Sequence, residues 1–418
     1  MQTNFNGAGA GTMSASAARV VADGGQIAEL TSLRFIAAFA VLVLHYRELV
    51  WPMPDWLLRG IVGGQYGVTF FFVLSGFILT WRYHGWFADG VDDGRYWRFQ
   101  RLRLARIYPI YIVGLLLDTP WHLVERAGQM GDDGQTYWAS WLFNLIGLQA
   151  WVPAMPFAMF WNTPAWSVSA ELFFYAAFPF ACAWLTRRAR STARLGVLLA
   201  VVVTVATGVY FAVIWLVYVV TPLSSETQYI VLVYNPLLRC GEFLGGCIAG
   251  QLFLHWRQRA VAPLADEDVA RARRRRNVAL LACLLAVCGR IWMPDYTGAS
   301  QALWTLDYAV KFPIFILPFV AIILAIASGP TFLSPLLERP WMVLLGESSY
   351  ALYMIHWSVT SFLRLRWLGE WDTPWVHAAL LLATVGASVL CHRAIEVPWR
   401  ERLRGSHEPA VGLAPAVS

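Results

Sequence analysis

LTSLRFIAAFAVLVLHYRELV, residues 30–50, is the stretch whose reading decides the fold. Ten consecutive apolar residues, Phe35 to Leu44, lie between Arg34 and His45. If the segment is a helix, the eleven-residue step from Arg34 to His45 turns through about 1100°, so both side chains point within about 20° of one direction, about 16 Å apart along the axis. One face then carries a permanent cation at one end and a titratable imidazole at the other. Ionisable groups at membrane depth are costly and by default functional. Two readings stay open for each residue. Arg34 is either an interfacial anchor or part of a site, and His45 is either a packed histidine or a proton-transfer group.

The composition agrees with a membrane setting. The chain has 418 residues, 58% hydrophobic and 14% charged, with a mean hydropathy of +0.51. Soluble domains carry about a quarter charged residues. The 22 Trp and 16 Tyr cluster near the ends of apolar runs, as interfacial belts do. The net charge of +6 comes almost wholly from arginine, since Lys311 is the sole lysine. That charge fits loops facing anionic lipid and implies no nucleic-acid partner. The six cysteines fall inside apolar segments without metal-type spacing. They read as packing residues, and no metal site is expected. Residues 1–29 are rich in Gly, Ala and Ser and lack an apolar core, which predicts a disordered cytoplasmic tail. Residues 401–418 read as a second tail.

Between the tails, the expected fold is an all-α polytopic membrane domain over 30–400. A span needs about 20 apolar residues. About ten are expected, near 31–50, 65–84, 104–120, 164–186, 195–219, 229–255, 278–292, 303–327, 341–363 and 375–397. The apolar stretch 138–152 is the ambiguous one. If it does not cross, the arginine clusters at 82–106, 187–194, 257–276 and 400–404 all face the same side as the N-terminus. If it crosses, Arg187, Arg188, Arg190 and Arg194 move to the other side. The positive-inside rule therefore favours ten spans with both termini cytoplasmic. It makes 121–163 an outer excursion that folds back over the bundle, and 84–103 and 256–277 basic inner loops.

In that topology His45, Glu171, Asp307, Lys311, Arg239 and His356 fall mostly in the outer half, within a band on the order of 10 Å thick. Such groups persist only by pairing or by lining a wet cavity. Asp307 with Lys311, at i,i+4, and Arg239 with Glu242, at i,i+3, read equally as simple helix-face pairs. A carboxylate such as Glu171 beside His45 would orient the imidazole and raise its basicity. At the inner face Arg98, Arg101, Arg103 and Arg106 alternate with aromatic and aliphatic residues. They read either as topology signals or as ligands for a polyphosphate.

Six stretches, in order, resemble the acyltransferase-3 family of integral membrane acyltransferases. They are LTSLRFIAAFAVLVLHY, GVTFFFVLSGFILTWR (67–82), RLRLARIYPIY (101–111), WSVSAELFFYAAFP (166–179), LGESSYALYMIHW (345–357) and IEVPWRER (395–402). The resemblance implies transfer of an acyl group, most often acetyl, from cytoplasmic acyl-CoA to a hydroxyl of an extracytoplasmic glycan or glycolipid. It implies a bacterial inner-membrane location and a stand-alone member without an SGNH domain. Arg103 and Arg106, helped by Arg98 and Arg101, would hold the CoA phosphates, and Arg34 the pantetheine end or the thioester region. His45 would be the general base and Glu171 its orienter, whether or not an acyl-His45 intermediate forms first. His356, Asp307, Arg239 and Tyr350 would line the site. Expected partners are the acceptor, the bilayer, and either a polysaccharide-assembly protein or a second copy. A proton-coupled transporter or lipid-linked saccharide carrier is the rival reading, and a purely structural scaffold the third. The internal repeats and paired broken helices of transporters are not found in the sequence.

Overall fold

The computed structural model describes residues 27–46, 54–125, 133–189, 191–221, 223–259, 266–293, 301–367 and 373–404. The expectations about residues 1–26 and 405–418 and about Arg190 lie outside these, whereas Ala28, Glu29 and 401–404, expected in the tails, are helical. No strand occurs among the described residues.

Helix α1 (Ala28–Tyr46) is followed by the short α2 (Asp55–Val62) and by α3 (Tyr66–Phe87). Next come α4 (Asp93–Glu125), α5 (Gly134–Leu145), α6 (Trp166–Arg188), α7 (Thr192–Trp215), α8 (Ser225–Tyr234) and α9 (Cys240–Arg259). The last group is α10 (Asp266–Trp292), α11 (Gln301–Val310), α12 (Ile316–Ala327), α13 (Pro340–Glu347), α14 (Ser349–Trp367), α15 (Pro374–Cys391) and α16 (Val397–Arg404). Among the described residues, six segments are long and apolar enough to cross a membrane: Ala28–Tyr46, Asp55–Phe87, Asp93–Val124, Thr163–Arg188, Thr192–Val220 and Trp375–Arg402. The pair Leu303–Val310 and Pro313–Ala327, bent by 45°, makes a seventh if it counts as one span.

The other three expected spans are helical, but each departs from a plain apolar rod. The stretch 229–255 is split at Asn235, whose backbone is extended ahead of Pro236 and whose side chain accepts from the Leu237 amide at 2.9 Å. The stretch 278–292 is the apolar half of α10, whose earlier turns carry RARRRR. The stretch 341–363 is divided at Ser348 between α13 and α14.

Two expected loops are mostly helix. The short expected third span is part of the 33-residue α4, which begins at Asp93 and runs through Pro109 and Pro120. Only residues 88–92 separate it from α3, so 84–103 is helical apart from that short turn. Asp92 anchors that turn, and hydrogen bonds from the Arg95 backbone and side chain hold its carboxyl below the usual range. Likewise 256–277 is helical on both sides of residues 260–265.

The ambiguous stretch 138–152 is not one long helix. Helix α5 has 12 residues, about 18 Å, against the roughly 30 Å of a hydrocarbon core. It folds back onto the bundle. Tyr108 donates to the Leu145 carbonyl at 2.5 Å, Tyr111 to the Asn144 carbonyl, and Gln149 to the Ala165 carbonyl at 2.8 Å.

Helix α1 packs against α3, α12, α13 and α14. Helices in lipid gain little from apolar contact alone, so close association relies on small residues. A Cβ at Gly76 would overlap the Phe243 carbonyl, and one at Gly246 the Val73 carbonyl. These glycines bring α3 and α9 together backbone to backbone. Phe174 then stacks on Phe243 at 4.7 Å and Trp166 on Tyr234 at 4.7 Å. The outer surface is apolar: Val197, Val201, Val205 and Val209 form an exposed stripe on α7 at four-residue spacing.

The crossing makes a specific demand on stability. Gly246→Val should lower thermal stability in detergent by about 1–3 kcal/mol or more through overpacking. Gly208→Ala, where nothing lies within 4 Å of the added Cβ, should hold or raise it by about 1 kcal/mol. Size-exclusion recovery after a temperature series reads both variants, and equal behaviour would remove the crossing from its role.

Candidate active site

His45 occupies the last turn of α1. Its Nδ1 lies 3.0 Å from Nε2 of His356 on α14, with ring centroids 5.0 Å apart. The Trp357 ring meets His45 edge-on at 5.3 Å. His356 is completely buried, whereas His45 is half-buried and so reachable from outside the protein core. Ala38, Leu42, Tyr46 and Leu352 form an apolar cluster that seats α1 against α14. The alternation of small and large residues on α1 thus fixes how closely the two imidazoles approach.

A second polar group gathers around Arg34, six residues into α1. Glu171 on α6 accepts at Oε1 from the Ser75 hydroxyl at 3.3 Å and from the Tyr175 hydroxyl at 2.5 Å. Arg34 lies within electrostatic reach of Arg106, Glu396, Glu171 and Tyr175. Tyr350 donates to the Ile107 carbonyl at 2.8 Å. Arg34, Ser75, Arg106, Glu171 and Tyr350 are all half-buried, although each comes from an apolar helix packed on its neighbours. Five helices, α1, α3, α4, α6 and α14, therefore each contribute a polar side chain that keeps some accessible surface. Two cations and two carboxylates near one another offset much of the cost of burying each alone.

The four arginines of α4 do not act as a quartet. Residues 101 and 103 are about 200° apart on a helix, and 103 and 106 about 60°. Arg98 and Arg101 face outward and are exposed, whereas Arg103 is buried and Arg106 half-buried. Arg103 donates to the Tyr83 hydroxyl at 2.5 Å and lies over that ring at 4.8 Å. Its buried Nε has no hydrogen-bond partner. An orphaned guanidinium donor beside half-buried Arg106 suits an oxyanion ligand such as a phosphate.

The remaining predicted residues separate from both groups. Arg239 and Glu242 pair at 3.1 Å, both almost fully buried, and Arg239 also donates to Thr69 at 2.8 Å. Its guanidinium sits 4.1 Å from the centroid of the Phe312 ring. The pair is the i,i+3 one expected, and through Thr69 it ties α9 to α3. Asp307 pairs across helices with Arg290, at 2.7 Å. The expected i,i+4 pairing with Lys311 is superseded because the bend after α11 carries the Lys311 ammonium over the Tyr308 ring, at 5.0 Å. Glu171 is engaged by Ser75 and Tyr175, and the side chain at Nδ1 of His45 is His356.

Three functional-looking contacts escaped the sequence reading. Ser75 and Tyr175 on Glu171 are one; the i,i+4 step from Glu171 to Tyr175 was the available signal. Glu396, which accepts from or binds His392 at 2.9 Å, is the second. Asp118 and His122, 2.9 Å apart and fully buried, with Ser358 donating to Asp118 at 3.2 Å, are the third. Helix α4 continues past the expected end at residue 120, and only that extension puts His122 one turn beyond Asp118.

A helical bundle with an apolar exterior and several spans' worth of long apolar helices is that of a multi-pass membrane protein. A family model described as an acyltransferase domain matches residues 27–393, and the chain belongs to the acyltransferase-3 family. Acyltransferase MdmB of Streptomyces mycarofaciens is 26% identical over 415 residues, covering 93% of this chain and 95% of that protein. No solved structure matches.

Proposed function

We propose that the protein moves an acyl group, acetyl in the first instance, from cytoplasmic acyl-CoA to a hydroxyl of a glycan or glycolipid on the opposite side of the bacterial inner membrane. The observation that carries this reading is the single axis of α1, with half-buried Arg34 near Arg106, Glu171 and Glu396 at one end and half-buried His45 at the other. Their separation, about 16 Å, is the kind of gap that an extended pantetheine arm bridges. Arg103 and Arg106 hold the phosphates from the α4 side, and Arg34 meets the arm inside the bundle. Glu171, held by Ser75 and Tyr175, balances the charge of Arg34 and Arg106.

At the outer end His45 takes the proton of the acceptor hydroxyl as its oxygen attacks the thioester carbonyl carbon. The new C–O bond forms and the C–S bond breaks. CoA leaves as a thiolate and recovers the proton from the imidazolium, so His45 returns to its starting state. General-base catalysis of this kind contributes about 10²–10⁴-fold. The donor reaches the site from the cytoplasm because ten spans, with both termini inside, set the arginine clusters there.

Three outcomes check this reading. His45→Ala should lower acyl-CoA turnover at least about 10²-fold while the protein still elutes as folded material, and retained turnover would remove His45 from the chemistry. Charge reversal at Arg103 or Arg106 should weaken acyl-CoA binding by about tenfold or more, the worth of one charge-assisted contact. Reversal at outward-facing Arg98 or Arg101 should change it by less, and absent binding by the wild type overturns the donor assignment. In a background without native cysteines, an impermeant thiol reagent should label Leu145→Cys from outside and Arg188→Cys only after permeabilisation; the opposite pattern sinks the topology.

A further inference from the structure

We propose that His356 is a positioning residue that fixes which nitrogen of His45 carries the proton. The proposal rests on the reading of His45 as general base. It comes from the hydrogen-bond inventory of the pair. Nδ1 of His356 lies 2.7 Å from the Tyr353 carbonyl oxygen and 3.2 Å from that of Leu352. A carbonyl oxygen only accepts, so Nδ1 of His356 bears a hydrogen. With His356 neutral, its Nε2 then has a lone pair and accepts. The partner of that lone pair is Nδ1 of His45, at 3.0 Å, which must therefore donate. A neutral His45 that donates from Nδ1 holds its own lone pair on Nε2.

The chain of consequences starts in the backbone. The two carbonyls belong to the turn of α14 preceding His356, so the helix itself sets the tautomer of His356, and His356 sets that of His45. The arrangement resembles in logic a histidine oriented by a second group that is never itself protonated in the reaction. When His45 takes the acceptor's proton at Nε2, the Nδ1–H bond to His356 persists and helps hold the imidazolium. Complete burial of His356 keeps water from competing for its lone pair. The Trp357 edge at 5.3 Å limits rotation of the His45 ring out of this alignment. A carboxylate in this place would do the same task with a full charge; here a neutral, buried acceptor does it.

The test uses the full chain in detergent, with turnover and tautomer read separately. In ¹⁵N spectra of histidine-labelled protein above neutral pH, the resonances lost in His45→Ala should report a hydrogen on Nδ1 and none on Nε2. His356→Leu should move that signature towards a mixture and lower kcat by about 10- to 100-fold, with KM for acyl-CoA unchanged. His356→Gln, whose side-chain oxygen can accept from Nδ1, should retain the signature and recover much of the rate. A Nδ1-unprotonated His45 in the wild type, or a signature and kcat indifferent to His356→Leu, overturns the proposal. If His45→Ala keeps full turnover, the general-base reading fails, while the spectra still decide whether His356 controls the tautomer.

Discussion

Backbone contact between α3 and α9 is the constraint on which the rest of the bundle depends. Inside a bilayer, apolar side chains gain nothing by leaving lipid for one another, so helices lock where small residues allow close dispersion contact. Gly76 and Gly246 provide that place. Ser75 is the neighbour of Gly76, and the crossing therefore sets the depth at which its hydroxyl meets Glu171. Through Glu171 it also sets the polar surroundings of Arg34. A packing device with no chemistry of its own thus aligns a chemical site.

Polar groups in this protein follow two different rules. Arg239 and Glu242 are sealed off, each satisfied in part by the other, and act as a rivet between α9 and α3. Asp307 and Arg290 pair across helices at the bundle's edge, both partly exposed. Arg34, Arg106 and Glu171 are likewise half-buried but come from three different helices, and no single pair accounts for them. Charge in the membrane is therefore not by itself a marker of the site; the convergence of several half-buried charges from separate helices is. His45 and His356 combine both rules, with a buried ring supporting a reachable one.

Much of this organisation was legible in the chain. The spacing of Arg34 and His45 placed them on one face of one helix, and α1 keeps that relation. The charge context of 138–152 pointed to a segment that does not cross, and the 12-residue α5 is shorter than a span needs. The pairing of Arg239 with Glu242 was readable because both lie on one turn. What failed to read were contacts between helices. Asp307 met Arg290 and not Lys311, because a break after Val310 turns the chain away from the i,i+4 geometry. The arginines of α4 read as one group until helical phase separated Arg103 and Arg106 from Arg98 and Arg101.

The amino-acid sequence by itself determined the membrane class, the helical character, the family pattern and the residues able to carry charge or protons. Those follow from composition and from periodicities of one chain segment, which local physics governs. Only the tertiary structure decided which of these residues meet: His356 at His45, Ser75 and Tyr175 at Glu171, Tyr83 at Arg103. Helix rotation and depth are set by side chains interlocking across many helices at once, and a contact that spans 311 residues of chain, as between His45 and His356, leaves no local trace.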